Sequence, residues 1–453
     1  MVKPWGRLGE PCRGAPQSRP SLRMMRVLPG VATLGAVSSG LDCWTGGYTP
    51  ELCCLTPGRG QQSCWDGVFT FQACCSETAE GRAFAERRQA FVESMVQGGA
   101  EAFFEIGNVP GAAGRMGAVA TAARKTQDTI LKMPRQLVYS LSSVPPAITA
   151  AAKAHGQGCD PQAALALGLL TERANPASRI AGWLDLLPKR FHNVLWFNED
   201  QVRVVNSTFF DYIIETWFED LRCMQRVIEI SPDWLWRGPP PSYDDLRWAL
   251  SVVKTRGFST TNTREGTLLI PLADFLNHDW KPNVHTSPSD PFHFIAREDI
   301  RQDAELTIEY AQASNLEFLV RYGFRLEGNP YGGRPFELTG EPLQQHCSPI
   351  VLRHDIAQVV DDQIIDCHRQ ARQLSFKQQF GELTPDEALR EDRYIYKAIL
   401  QACSQLHEML QVPPAVDPRD TMAVLLMREV KTERALLNKC GQVFDERLNK
   451  PGP

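Results

Sequence analysis

The stretch that decides the fold runs from Leu268 to Phe324. It opens Leu-Leu-Ile-Pro-Leu-Ala-Asp-Phe-Leu-Asn-His-Asp (Leu268 to Asp279) and passes through Ala-Glu-Leu-Thr-Ile-Glu-Tyr (Ala304 to Tyr310). It closes Ser-Asn-Leu-Glu-Phe-Leu-Val-Arg-Tyr-Gly-Phe (Ser314 to Phe324). An apolar strand leads to an Asn-His pair, a second strand from Leu306 to Glu309 ends on Tyr310, and Tyr322 follows twelve residues later. Asn277 and His278 could pair with Asp274, His285 or His293 as metal ligands. Neighbouring strand residues point to opposite faces, however, which disfavours joint ligation. A lone tyrosine at either position would usually be read as core packing.

Outward from that stretch, 453 residues with 43% hydrophobic content can build two or three domains with real cores. The net charge of −5 provides no basic field for nucleic acid, and a mildly acidic surface suits a basic peptide. No run reaches the eighteen or so apolar residues that span a bilayer. Within residues 1–42, the stretch up to Leu41 carries Lys3, Arg7, Arg13, Arg19, Arg23 and Arg26 against Glu10 alone, with a short apolar run from Val27 to Val37. Such a segment reads as a signal or transit peptide, or as a disordered basic tail. It leaves cytoplasm, nucleus and plastid open.

Residues 43–76 hold an internal repeat. Cys43 to Cys54 and Cys64 to Cys75 share Cys-Trp-x-Gly-x-aromatic-Thr-x-x-x-Cys-Cys at a period of 21 residues. Six cysteines in so short a unit act as covalent staples in an oxidising compartment. Zinc competes, but adjacent Cys-Cys pairs fit its usual ligand spacing poorly. Further on, Glu80 to Met95 reads as an amphipathic helix with Phe84, Arg88 and Phe91 on one face. Gly117 to Thr121 and Thr129 to Met133 read as strands, Pro161 to Arg173 as a buried helix, and Asp244 to Lys254 as another helix. Beyond Pro335 the pattern is almost wholly helical. Met422, Leu425, Leu426, Val430, Leu436, Leu437, Cys440, Val443 and Phe444 trace one face of a long helix.

Taken in order, these motifs resemble the catalytic half of SET-domain protein methyltransferases. The resemblance runs from about Gly114 to Phe324, with a looser match to about Leu448. Within the family the chain is similar to the Rubisco large-subunit methyltransferase group, which includes the actin-histidine methyltransferase. Ala164 to Arg173 with Trp183 to Lys189 is similar to that group's helical insert, and Trp248 to Phe258 to the segment leading into the active site. The resemblance implies an α+β architecture: a SET fold of short β-sheets over residues 100–326, with a helical insert at about 160–250. An all-α domain follows over residues 335–448. It also implies S-adenosylmethionine as methyl donor, no metal, and a monomer that docks a protein substrate on its helical C-terminal domain.

Site residues carry over one by one. Tyr310 places its hydroxyl beside the methyl group and the incoming nitrogen, and Tyr322 shapes the same channel from the other side. Asn277 and His278 thread close to the donor, Gly117, Arg256, Asp274, Ser314 and Asn315 match further donor-contacting positions, and Phe324 packs near the adenine. Phe258 stands where lysine-directed members carry an aromatic residue and the actin-histidine enzyme carries a polar amide. A phenyl ring fits an alkyl-ammonium stem and offers no hydrogen bond to an imidazole, so lysine is favoured over histidine. One departure stands out: Arg115 replaces the first glycine of the family's Gly-x-Gly turn, which reads Gly114-Arg115-Met116-Gly117. Without that glycine the backbone is expected to hug the donor less closely. This keeps open a silent SET scaffold that docks a partner, alongside a histidine methyltransferase.

Overall fold

The structure, a computed structural model, describes residues 53–54, 74–75, 79–110, 115–154, 159–208, 210–236, 238–259, 266–287, 292–336, 338, 347, 350–354, 359–411 and 415–449. The basic segment up to residue 42, most of the Cys repeat, and Gly114 lie outside them. In chain order, helix α1 (Ala79–Gln97) is followed by strands β1 (Glu101–Ala102), β2 (Phe104–Asn108), β3 (Met116–Ala120) and β4 (Thr129–Met133). A helical stretch then holds α2 (Pro146–Ala154), α3 (Pro161–Arg173), α4 (Ala181–Leu186), α5 (Glu199–Val205), α6 (Asp211–Ile230) and α7 (Tyr243–Arg256). Next come β5 (Gly257–Ser259), β6 (Thr267–Leu269), β7 (Asn277–His278), β8 (Val284–Ser287), β9 (Phe292–Ala296), β10 (Glu305–Ile308) and α8 (Asn315–Tyr322). The chain continues with β11 (Tyr331–Phe336), β12 (Ile350–Arg353), α9 (Asp362–Phe380), α10 (Pro385–Met409) and α11 (Thr421–Asn449).

Two four-stranded sheets lie between residues 101 and 308, in the orders β1-β4-β9-β8 and β2-β3-β10-β7. In the second, β3 runs antiparallel to β10, with Val119 opposite Glu305, while β7 runs parallel to β10, with Asn277 opposite Thr307 and His278 opposite Ile308. That parallel pairing sets the Asn-His pair beside the strand that ends at Tyr310. The apolar strand expected before Asn277 is broken in two. Pro271 supplies no N–H, Leu272 takes a left-handed φ of 72°, and a 3-10 turn spans Ala273–Phe275 before β7. A buried leucine held at positive φ is strained backbone, and here it falls directly before Asp274.

Local chemistry explains the helices. The Asp160 side chain accepts the Gln162 N–H at 2.7 Å and Pro161 occupies the first turn of α3, whose run from Ala163 to Thr171 is buried on every side. Ser242 and Asp245 form a capping box on α7, as Thr384 and Glu387 do on α10. Beyond Pro335 the structure corrects the all-helical expectation: β11 and β12 pair before α9 begins, and α11 packs against both. Of the apolar face read along α11, Leu426, Val430, Leu436, Leu437, Cys440 and Phe444 are buried while Met422, Leu425 and Val443 are half-buried, and Glu429 and Glu433 are buried with them.

Every cysteine from Cys159 onward is in a disulfide: Cys159–Cys223, Cys347–Cys367 and Cys403–Cys440. Cys54–Cys75 joins the last cysteines of the two repeats, 21 residues apart, and Cys53 and Cys74 are also disulfide-bonded.

Candidate active site

β10, β7, α7 and α8 converge on a cavity of about 450 Å³. Tyr310, Tyr322, Phe258, Arg256 and Asp274 all line it. Tyr310 follows β10 directly, and its position is fixed at two points. Its backbone N–H donates to Nδ1 of His278 at 2.9 Å, and its hydroxyl donates to the Leu276 carbonyl at 2.8 Å. Burial pushes both tyrosine hydroxyls well above their ordinary pKa, so they stay protonated at neutral pH. Because Tyr310 spends its proton on Leu276, its oxygen faces any further ligand as an acceptor.

Around the tyrosines lies an aromatic cluster. The rings of Tyr310 and Tyr322 are 5.5 Å apart, His278 lies 5.3 Å from Tyr310 and 4.6 Å from Phe318, and Phe324 stacks on Phe318 at 5.2 Å. Desolvation lowers the His278 pKa, which keeps the imidazole neutral and its Nδ1 an acceptor. Phe258 meets Phe294 edge-on at 5.8 Å and presents no hydrogen-bonding atom to the cavity.

The same cavity is lined by an ion pair. Arg256 Nη1 donates to the Asp274 carboxylate at 3.0 Å and to its carbonyl at 2.9 Å, and Trp183 Nε1 donates to the same carboxylate oxygen at 3.0 Å. Burial raises the Asp274 pKa against the opposing pull of Arg256. Asp274 Oδ1 and Arg256 Nε are buried and unpartnered. A buried acceptor and a buried donor without partners, both on a cavity wall, call for a zwitterionic ligand. The amino and carboxylate groups of an amino acid answer that description.

Asn277 and His278 point to opposite sides of β7. The Asn277 amide donates to the Met116 carbonyl at 3.1 Å and to Glu305 at 2.8 Å, while His278 serves Tyr310. Arg115 pairs with the other Glu305 oxygen, and Arg115 is not among the positive-φ residues, so its side chain costs the turn no left-handed strain. Gly117 is needed for room instead: an added Cβ would lie 2.6 Å from Asn277 Nδ2 and 3.0 Å from Val109. Ser314 caps α8 by accepting the Glu317 N–H, and the Asn315 amide is taken up by Leu326 and Asn329. These two, with Gly117, Asn277, His278 and Phe324, stand outside the cavity lining. Sequence reasoning missed Trp183 as the partner of Asp274 and Glu305 as the anchor of Asn277. It also missed the wall formed by Gln162, Trp217 and Lys254. Among the described residues no three His, Cys, Asp or Glu side chains gather as a metal set, and no helix is long and apolar enough to cross a membrane.

Residues 116–311 match the SET domain family. The chain carries a SET domain. Around it, the chain is 28% identical over 226 residues to the actin-histidine N-methyltransferase of Papio anubis, and 27% identical over 232 residues to that of Gallus gallus. These alignments cover 47% and 48% of this chain but 38% of either relative, so the chain spans about two fifths of the length of the curated relatives it matches. Among solved structures, the SET domain of LSMT bound to lysine and AdoHcy superposes with a TM-score of 0.54 at 16% identity, over 80% of this chain and 92% of that one. Rubisco LSMT bound to AdoMet gives 0.52 at 16% identity over the same shares. The architecture is therefore the SET fold with its helical insert, followed by a helical C-terminal region.

Proposed function

We propose that the protein is an S-adenosylmethionine-dependent protein-lysine N-methyltransferase. The observation that carries this reading is the arrangement around one cavity: the half-satisfied Arg256–Asp274 pair together with Tyr310, Tyr322 and Phe258. Arg256 and Asp274 suit the carboxylate and amino groups of the donor, and the backbone beside Asn277 and His278 its remaining length. When bound, the donor supplies an electrophilic methyl group on a sulfonium.

The chain's own residues do the rest by position and by exclusion of water. A lysine side chain has a pKa of about 10.4, so presenting it neutral near pH 7 costs roughly 4 kcal/mol. A channel walled by Phe258, Tyr322 and Leu276 disfavours the ammonium form and offsets part of that cost. The Tyr310 oxygen, its own proton held by Leu276, accepts an N–H from the incoming amine and fixes the lone pair's direction. Neither tyrosine acts as the base, because burial keeps both hydroxyls protonated.

A second reading, histidine methylation, is favoured by the similarity to actin-histidine N-methyltransferases. Phe258 argues against it, since an imidazole would find no partner on that ring. A tritium-transfer assay on a basic-protein extract, with the modified residue read by mass spectrometry, separates the two. Methyl-lysine is expected, with loss on Tyr310→Phe. Methyl-histidine as the product would replace the lysine reading, and absence of both donor binding and label would leave a scaffold that docks partners.

A further inference from the structure

One wall of the cavity is tied together by a closed ring of contacts that the SET reading does not require. Cys159 stands two residues before the first turn of α3, and its partner Cys223 lies on α6. Trp217 and Asp220 precede Cys223 by six and three positions on that same helix, so Asp220 neighbours both on the helix surface. Trp217 lines the cavity, and the buried Asp220 carboxylate holds Lys254 Nζ at 2.8 Å. Lys254 in turn donates to Gln162 Oε1 at 2.6 Å, and Gln162 Nε2 donates to Thr267 Oγ1 at 2.8 Å. Gln162 is three residues from Cys159, which closes the ring. Thr267 opens β6, whose register sets Thr267 opposite Ser259 and Leu268 opposite Phe258.

We propose that the Cys159–Cys223 disulfide is a positioning clamp for the acceptor channel: it fixes the start of α3 against α6, and through Gln162 and Lys254 it holds the β5–β6 hairpin that carries Phe258. The proposal rests on the methyltransferase reading for its effect on catalysis, though not for its effect on structure. Two features support it. The two Cα atoms are 5.8 Å apart, which suits the bond without backbone movement. The other two disulfides of this half of the chain, Cys347–Cys367 and Cys403–Cys440, close the cysteine inventory from Cys159 onward, leaving no free thiol there, as in chains that work under oxidising conditions. It follows that the channel wall is complete in an oxidising compartment. A dithiol reductant, giving two electrons and two protons to form the Cys159 and Cys223 thiols, loosens it.

The test uses the full chain. Unreduced protein is alkylated and mapped by mass spectrometry, and Cys159 and Cys223 should take up no label. Hydrogen exchange at Phe258 and Leu268 is then compared among wild type, Cys159→Ser/Cys223→Ser and Cys403→Ser/Cys440→Ser. The first double variant should exchange at least about tenfold faster at those amides, and the second should not. Gln162→Ala breaks the same ring with the disulfide intact, so it should speed the same amides and make added reductant nearly without further effect. With tritiated donor and a basic-protein extract, the clamp variant should raise KM for the acceptor about tenfold, with donor affinity measured by calorimetry unchanged within about twofold. Alkylation of both thiols in native protein overturns the proposal, as does unchanged exchange in both the cysteine pair and Gln162→Ala. Failure of methyl transfer in every variant, with the exchange result as expected, would instead overturn the methyltransferase reading alone.

Discussion

Glu433→Gln isolates a single buried charge at the seam between the SET domain and the C-terminal helices. Glu433 lies on α11, is 2% exposed, and faces Ser314 at the start of α8 and Gly333 in β11. Neither of its oxygens completes a full hydrogen bond, although the Ser314 hydroxyl and the Gly333 N–H approach it. Burial, with Glu317 and Glu429 nearby adding negative charge, pushes its carboxyl up from 4.5 to about 8. Arg321 and Arg325 are occupied by Glu317 and Glu429 and leave Glu433 without a cation. A carboxyl raised on folding means that the native state holds a proton which the unfolded chain has released. Its stabilising share is therefore complete below pH 4.5 and is lost as the pH climbs through about 8. At 1.36 kcal/mol per pH step, the whole span is worth roughly 5 kcal/mol. Glutamine keeps the shape and cannot ionise. Denaturant unfolding followed by tryptophan emission should find the variant more stable than wild type by roughly 2–5 kcal/mol near pH 8.5, and within about 1 kcal/mol of it near pH 5. Equal pH slopes for the two proteins would refute the reasoning, because they would mean that Glu433 is already charged or solvated in the fold.

Three further outcomes follow from the site. Asp274→Ala strips Arg256 and Trp183 of their shared acceptor; it should cost about 3–5 kcal/mol in unfolding experiments and abolish donor binding by calorimetry. Gly117→Ala drives a methyl group into the Asn277 amide, breaking its bonds to Met116 and Glu305, and should lower stability by about 1–3 kcal/mol together with donor affinity. Methyl transfer should rise roughly tenfold per pH unit between about pH 7 and 9, because the acceptor amine must lose its proton while Tyr310 and Tyr322 keep theirs. A flat profile over that range would show that deprotonation is not the limiting equilibrium.

Much of the chain was legible because its local signals agree with its packing. The run from Pro161 to Arg173 has a cap, a proline and an alanine-leucine interior, and it is a buried helix between those same residues. Tyr310, Tyr322, Phe258, Arg256 and Asp274 were named from the resemblance to SET-domain methyltransferases, and one cavity gathers them. What escaped depends on partners distant in sequence. β7 is two residues long and exists only because β10 lies beside it, so no periodicity announces it. Tyr331 to Phe336 has two glycines and a proline where alternation would mark a strand. The Trp183–Asp274 bond spans 91 positions, and Cys159 could have been matched to Cys223 only by knowing how α3 lies against α6.

The sheet that holds the site also dictates when the site can come into being. Arg115 and Glu305 meet across 190 positions, and β10 must find β3 on one side and β7 on the other before Tyr310 has a place to stand. Between them the helices from α2 to α7 make their contacts over shorter separations than β3 and β10 do, with α3 packing on α7 and α6 on α2, α3 and α7. Local contacts form quickly and distant strand pairings slowly, because loop closure must precede them. The helical insert is therefore expected to assemble first, as a platform, and the Asn-His and tyrosine motifs to be drawn together last. Pulsed hydrogen exchange during refolding should protect Leu165 to Leu170 before Leu306 to Ile308. On that order, completing the fold and completing the cavity around Tyr310 would be the same final event for this chain.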